Sequence, residues 1–512
     1  MARRLARSDS PLLVGAGNGD KHGGVSLLLS RFARYGGAFL LTAFAAGYLI
    51  WLPFRPVGAT MTDFSAYYSA GRYWSHGGDP YSRGIWTVEK TLPGVNAERE
   101  ELLPFVGPPL SLPLWALLGA LPYPVAASIW GIFLAVCAGV LVVVPTRLAR
   151  RSIGGGAAAS LLLLTLVAGP IVTAISVGQA ALPAAAAVDL AIIFAASRRW
   201  LLMAVATVLA AAFKPNDALV IGGAVHELAA LAAVGGAAIL SAIANLPFAG
   251  GMHGAVAYLD VLVHQSASER YFTYQMTPTS IGYGLGLDAH SAAIFGTCLS
   301  IAAIGAIVAA IRLTKANVID AGAIACAMFP FVVPFEHEPD LAIVALPALL
   351  VVLRARGPTW AVGAIGTVLL CIDAFAMAQG RLGLVFTVVT AAVACLQLAV
   401  LAPRGIRWAR LTPLIVIPLV LAVEPFAPAA PLPMWPAALP QHVAVATNMS
   451  ASAEWHDEIV ASGLDTRRPW ASSLRLLTLL GCACIAFAMV RSAAERFQRK
   501  VDSADRGKLT AS

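Results

Sequence analysis

Apolar residues arrive along this chain in blocks. They can be marked at about 37–54, 124–145, 157–176, 181–197, 200–213, 217–248, 291–312, 318–335, 340–353, 359–378, 382–402, 411–424 and 473–491. A helix of about 20 apolar residues crosses a bilayer and satisfies its own backbone hydrogen bonds while doing so. Several blocks are shorter than that, as expected where short or tilted helices enclose a polar cavity. The block 217–248 is long enough for two spans and is interrupted near His226 and Glu227. The pattern predicts an all-α, polytopic transmembrane bundle of 12 to 14 spans. The stretch GPPLSLPLWALLGALPYP, from Gly107, is apolar but too short to cross, and prolines bracket it. It reads as a helix in the outer interface or a re-entrant hairpin.

One stretch breaks the apolar monotony. TDFSAYYSAGRYWSHGGDPY, from Thr62 to Tyr81, is the densest cluster of aromatic and polar side chains in the chain. Apolar or small residues recur at helical spacing through Phe64, Tyr67, Tyr68, Gly71 and Trp74, while Asp63, Tyr67, Ala70 and Trp74 share a face. A short helix at the membrane surface is predicted, with a carboxylate in its first turn. Asp63 in that position suits an N-cap, and the same carboxylate can serve as a base. The tyrosines and Trp74 suit interfacial anchors.

Composition and charge sharpen this picture. Hydrophobic residues are 59% and charged residues 12% of the chain, with mean hydropathy +0.77. A soluble domain carries about 25% charge. The formal net charge of +8 has to be read by position, and it marks topology rather than nucleic-acid binding. Residues 1–36 hold six Arg and Lys and read as a disordered cytoplasmic lead-in, followed by a membrane domain over 37–491 and a basic cytoplasmic tail over 492–512. No cleavable signal peptide is evident, and 37–54 is long enough to remain as an anchor. Arg and Lys collect in alternate connections, so both termini are expected in the cytoplasm. The long connections 55–123, 249–290 and 425–472 are then external, and the last is Pro-rich at first. The seven cysteines have no zinc or disulfide spacing.

The pattern D-F-x-x-Y-Y-x-A-G-R followed by G-G-D-P-Y resembles the first external loop of glycosyltransferase family 87, bacterial GT-C enzymes that take a sugar from a polyprenyl phosphate. GPPLSLPLWALLGALPYPVAASIW resembles that family's segment before the second span. The stretch from Val177 to Pro215, VGQAALP through AAFKP, resembles its next helical pair. Phe335-Glu336-His337-Glu338-Pro339-Asp340-Leu341 sits where the family carries a histidine-containing loop. Together these cover roughly 37–354. Ala180 stands where the family often has a polar residue, and two glutamates flank His337.

The resemblance implies a GT-C membrane glycosyltransferase in a bacterial inner membrane, its site facing outward. It would move a hexose, with mannose favoured, from a polyprenyl-phosphate donor to a lipid or glycan acceptor, inverting the anomeric centre. A lipid phosphate leaves without a general acid, so one base suffices, and the departing phosphate needs cations or hydrogen-bond donors. Asp63 fits the base; Lys214, Arg270 and His337 fit the phosphate. Tyr67, Tyr68, Arg72, Tyr81, Gln179, Glu336 and Glu338 lie in the resembling motifs and are candidates for holding substrate. Lys214 can equally snorkel to an interface. The acids around His337 equally suit a helix N-terminus. No cofactor is implied, and Glu-His-Glu is not a metal-ligand spacing, so no metal is expected. Asp189, inside an apolar block, is a functional suspect by its position or a partner for a neighbouring helix. A transporter or flippase of lipid-linked glycans is the alternative, for which polar groups near the midplane would be the mark.

Overall fold

The computed structural model describes residues 61–93, 102–149, 154–372, 381–403, 418, 421–422 and 450–509. The lead-in 1–36, the anchor 37–54, most of the block 411–424 and the Pro-rich part of the third external loop lie outside the described residues. What is described is helical, with two isolated backbone bridges and no sheet among these residues.

Among the described residues, five helices are long and apolar enough to span a membrane: α4 (Tyr123–Leu148), α10 (Leu228–Ala249), α13 (Ala289–Leu313), α17 (Arg381–Leu401) and α19 (Pro469–Leu509). A bent pair, α5 (Gly155–Leu166) and α6 (Gly169–Val177), makes up to six, with 66° between its halves. Pro170 at the second position of α6 cannot supply an N–H to continue the preceding helix. The chain is therefore a multi-pass membrane protein. The expected count of 12 to 14 included blocks that fold as shorter apolar helices, α7 (Ala181–Ala196), α8 (Trp200–Phe213) and α14 (Val318–Met328), and blocks outside the described residues. The block 217–248 is not two spans. Its first part is the one-turn α9 (Pro215–Ala218) and a 3₁₀ segment Leu219–Ala224, and α10 starts only after Glu227.

Exposure separates two kinds of helix. Leu231, Ile239, Leu240 and Ile243 on α10, and Ile301, Ile304 and Val308 on α13, are exposed apolar side chains, the surface that lipid would cover. By contrast α7 is buried along most of its length, against α8, α4 and the 3₁₀ segment Glu338–Val344. The run α15 (Ala345–Arg354) that follows is buried almost throughout.

The polar stretch folds as the helix foreseen for it, α1 (Thr62–Ser75). The shorter apolar helix α3 (Leu112–Gly119) lies across it. It is too short to span, and Leu117 on its outer side is 68% exposed, as an interfacial helix requires. Gly71 and Gly119 set the spacing of this crossing. A Cβ on Gly71 would overlap the Trp115 backbone, and one on Gly119 would come 2.8 Å from the Arg72 nitrogen. Close backbone approach brings Tyr67 onto Trp115, with ring centroids 4.8 Å apart and nearly stacked.

At Gly71 the added methyl should override alanine's better helix propensity. Gly71→Ala is expected to cost about 1–3 kcal/mol, the range for overpacking. Gly139→Ala, in α4 where a Cβ meets open space, should be neutral or stabilising by up to about 1 kcal/mol. Thermal unfolding of the two variants in detergent checks this; equal midpoints would mean that α1 and α3 do not touch.

Candidate active site

Helix breaks, not helix middles, build the polar centre. At the first break α6 ends on Gly178, whose φ of +73° is the left-handed conformation that glycine adopts without strain. A Cβ there would sit 2.6 Å from that of Phe64. The turn is pinned by the Trp130 indole N–H, which donates to the Gly178 carbonyl at 2.8 Å. It delivers Gln179 to α1. The Gln179 amide nitrogen donates to Asp63 Oδ2, and its oxygen accepts from the Tyr67 hydroxyl and from the Ala180 backbone N–H. Asp63 and Tyr67, four apart and on one helical face, are thus tied to one amide. Asp63 makes no capping hydrogen bond; Met61, with φ of 60°, occupies the cap position. The capping role open to Asp63 from sequence is not what the carboxylate does.

At the second break, between α8 and α9, Lys214 is extended, and Pro215 starts the next turn. The third precedes the 3₁₀ segment Glu338–Val344, where His337 is extended. These two are joined: Lys214 Nζ lies 2.8 Å from Asp340 Oδ1, and the His337 backbone N–H donates to Asp340 Oδ2 at 2.9 Å. A fourth break ends α11 (Met252–Ser268) at Glu269, whose Oε2 is 2.7 Å from His337 Nε2.

The charges acting on the Asp63 carboxyl come from the second, third and fourth breaks. Desolvation raises it to about 6; His337 and Lys214 pull it down, and Asp340 and Glu269 push it up. Burial alone would lower the Lys214 ammonium, but Asp340 and Asp217 outweigh it and hold the lysine above its usual range. His337 behaves likewise, with burial overcome by Glu269. Burial pushes the Asp217 and Glu336 carboxyls well up, and both oxygens of Glu336 lack a hydrogen-bond partner among the described residues. Such acids are stable in a low-dielectric site when protonated. Glu89, at the end of α2 (Gly84–Glu89), is pushed up to about 8 by burial and accepts from Ser65 Oγ at 2.8 Å. Two cationic side chains and one base gathered at a largely buried site can bind a phosphodiester and take a proton beside it.

Not every candidate residue reaches this centre. Asp63, Tyr67, Gln179, Lys214 and His337 do. Arg270 is exposed, and the residue before it, Glu269, faces inward instead, so Arg270 is not placed at a shared phosphate site. Tyr68 donates to the Leu121 carbonyl at 2.8 Å, and Arg72 Nη1 reaches the Tyr68 hydroxyl at 3.1 Å and the Gly119 carbonyl at 3.4 Å. Those two hold α3 on α1. Tyr81 donates to the Gly107 carbonyl at 3.0 Å and stacks on Phe105. Glu338 is buried against Gly169, where a Cβ would be 2.6 Å from its Oε1. Asp189 is fully buried in α7, and neither of its oxygens has a hydrogen-bond partner among the described residues. No three His, Cys, Asp or Glu side chains among the described residues are grouped as metal ligands. Residues that sequence reasoning passed over are Glu269, Gln275, Asp217 and Trp455; a buried acid at a helix end was the only available signal.

Removing the lysine leaves Asp340 buried beside two further acids. Lys214→Met is expected to destabilise the protein by about 3–5 kcal/mol, and adding Asp340→Asn should restore a large part of that. Thermal unfolding of the two single variants and the double variant measures the coupling; strictly additive losses would show that the pair is not an ion pair in solution.

The model of glycosyltransferase family 87 matches residues 105–334. No curated protein and no solved structure matches the chain. The matched stretch supplies Gln179, Lys214 and Glu269, while Asp63 and His337 lie on either side of it. The chain is thus a multi-pass membrane protein whose residues 105–334 are similar to glycosyltransferase family 87.

Proposed function

We propose that the chain transfers a hexose from a polyprenyl-phosphate donor to a lipid or glycan acceptor, with inversion, and that Asp63 is the general base. The observation that carries this reading is the gathering of one ionisable carboxylate and two cations, Lys214 and His337, at a site built by breaks in apolar helices. In the proposed step Asp63 takes the proton of an acceptor hydroxyl. The oxygen attacks the anomeric carbon from the face opposite the phosphate, and the carbon–oxygen bond to phosphate breaks with its electron pair. Polyprenyl phosphate departs carrying the extra negative charge, which Lys214 and His337 balance in a medium where such interactions are strong. Gln179 orients the base. Glu336, beside Lys214, is the acid we assign to sugar hydroxyls, Glu338 packs against Gly169 instead, Tyr67 lines the base, and Tyr68, Arg72 and Tyr81 serve by holding the motif helix and its loop. Arg270 has no part in the phosphate site. Mannose as the sugar follows from the family resemblance. The distribution of Lys and Arg supports an outward-facing site on a bacterial inner membrane.

Transport of lipid-linked glycans is the weaker reading, since the polar groups of the site gather at helix ends rather than at the middle of apolar helices, where Asp189 sits.

Asp63→Asn separates catalysis from structure. Asparagine's oxygen can still accept from Gln179, so the variant should fold, insert and bind donor. Without a base, transfer should fall by about 10²–10⁴. In the unaltered chain, transfer should decline as pH drops through about 6, where Asp63 becomes protonated. A transfer assay with radiolabelled polyprenyl-phosphate sugars checks both; normal turnover in Asp63→Asn would remove Asp63 as the base.

A further inference from the structure

The histidine of the site does not stand alone. His337 Nε2 meets Glu269 Oε2 at 2.7 Å, and the carboxylate is gripped from three further directions. Gln275 Nε2 donates to Oε2 at 2.9 Å. Gln265 Nε2 donates to Oε1 at 2.5 Å, and the Trp455 indole N–H donates to the same oxygen at 2.8 Å. Every donor here is a neutral N–H, and Glu269 is 3% exposed. A buried carboxylate with this many donors has no cause to take up a proton, because each bond favours its charged form. Among the described residues, the one cation in contact with it is the imidazole.

The ring is also boxed in. Phe272 and Phe335 meet it edge-on, with centroids 6.0 and 5.1 Å away. A backbone bridge pairs Gln275 with His337, and Gln275 Oε1 accepts from the Glu336 backbone N–H at 2.8 Å. The other charged groups that face His337 are Asp340 on its own segment, Lys214 at the α8–α9 break and Asp63 on α1.

We propose that Glu269 is a positioning residue that fixes the His337 ring and favours its protonated form, so that the site presents His337 as a second cation beside Lys214. For the transfer reaction this rests on the function proposed above; as a statement about the imidazole it does not. The carboxylate acts through the histidine and touches no substrate. Trp455, on α18 (Ala451–Ala461), makes the device span the chain: its glutamate lies within the matched stretch 105–334, and two of its partners, His337 and Trp455, lie beyond it. The directions of titration agree with this geometry. Burial would lower His337, yet its proximity to Glu269 raises it; burial would raise Glu269, yet His337 and the N–H donors lower it.

The test uses the full chain in detergent, labelled with ¹³C-histidine, the His337 signal being identified by its loss in His337→Gln. Its titration midpoint should lie above the ordinary 6.5 in the unaltered chain. Glu269→Gln should lower it by about one pH unit or more, a tenfold loss of proton affinity. Trp455→Phe, which deletes one donor, should lower it by less. In a transfer assay the alkaline limb should move to lower pH in the same order, a response that a purely structural glutamate would not produce. An unchanged His337 midpoint in a folded Glu269→Gln protein overturns the proposal. Should that variant not fold, Trp455→Phe decides in the same way: a lowered midpoint supports the proposal and an unchanged one overturns it. A chain whose His337 titrates as described but which transfers from no polyprenyl-phosphate sugar would overturn the proposed function and leave the Glu269–His337 pair standing.

Discussion

A mostly buried ammonium 2.8 Å from a buried carboxylate is the interaction on which the rest depends. Lys214 belongs to a break between two helices and Asp340 to the start of another segment, and neither charge is stable there without the other. Asp217 and Glu336 are also close enough for the lysine to act on them, so one cation offsets a cluster of acids that would otherwise repel. The pair joins the breaks at 214 and 337, and the break at 337 in turn meets Glu269 and, through the field at Asp63, the first helix. In an apolar bundle such a set of charges has few other places to go. Burial in low dielectric makes its geometry costly to disturb.

Much of this site was legible because the chain is so apolar. Asp63, Lys214 and His337 stand out as polar residues at the ends of apolar blocks, and a helix that stops at a polar residue usually stops for a reason. The direction of individual side chains was not legible. Arg270 and Glu269 are neighbours at the end of α11, and about 100° of helical rotation separates one that faces inward from one that faces out. A search for phosphate ligands favours the arginine by its sign; the fold buries the glutamate. Nor can spacing reveal that Trp455 bonds to Glu269, since the two are 186 residues apart. The motif tyrosines carry the same lesson. Tyr67 reaches the site, whereas Tyr68 turns to the Leu121 carbonyl, because successive helical residues face different neighbours.

The fold was legible as a class and less so as a count. All-α architecture and membrane residence follow from hydropathy alone. Which apolar blocks cross is a different question, and it depends on breaks that composition hides. Val225 and the two residues after it interrupt one block, and the 66° bend between α5 and α6 divides another. In the opposite sense, α19 runs on through the basic tail to Leu509, well past the expected end of its apolar block. Propensity carries that extension, since Ala, Glu, Arg and Gln are all good helix formers.

The central claim is that one pocket holds both the base and the phosphate-binding cations. A structure of the chain with a non-transferable phosphonate analogue of a polyprenyl-phosphate sugar tests it most directly. The account predicts phosphonate oxygens within hydrogen-bond reach of Lys214 and His337, and the anomeric carbon facing the Asp63 carboxylate. A phosphonate seated away from both cations, or a sugar turned from Asp63, would contradict it.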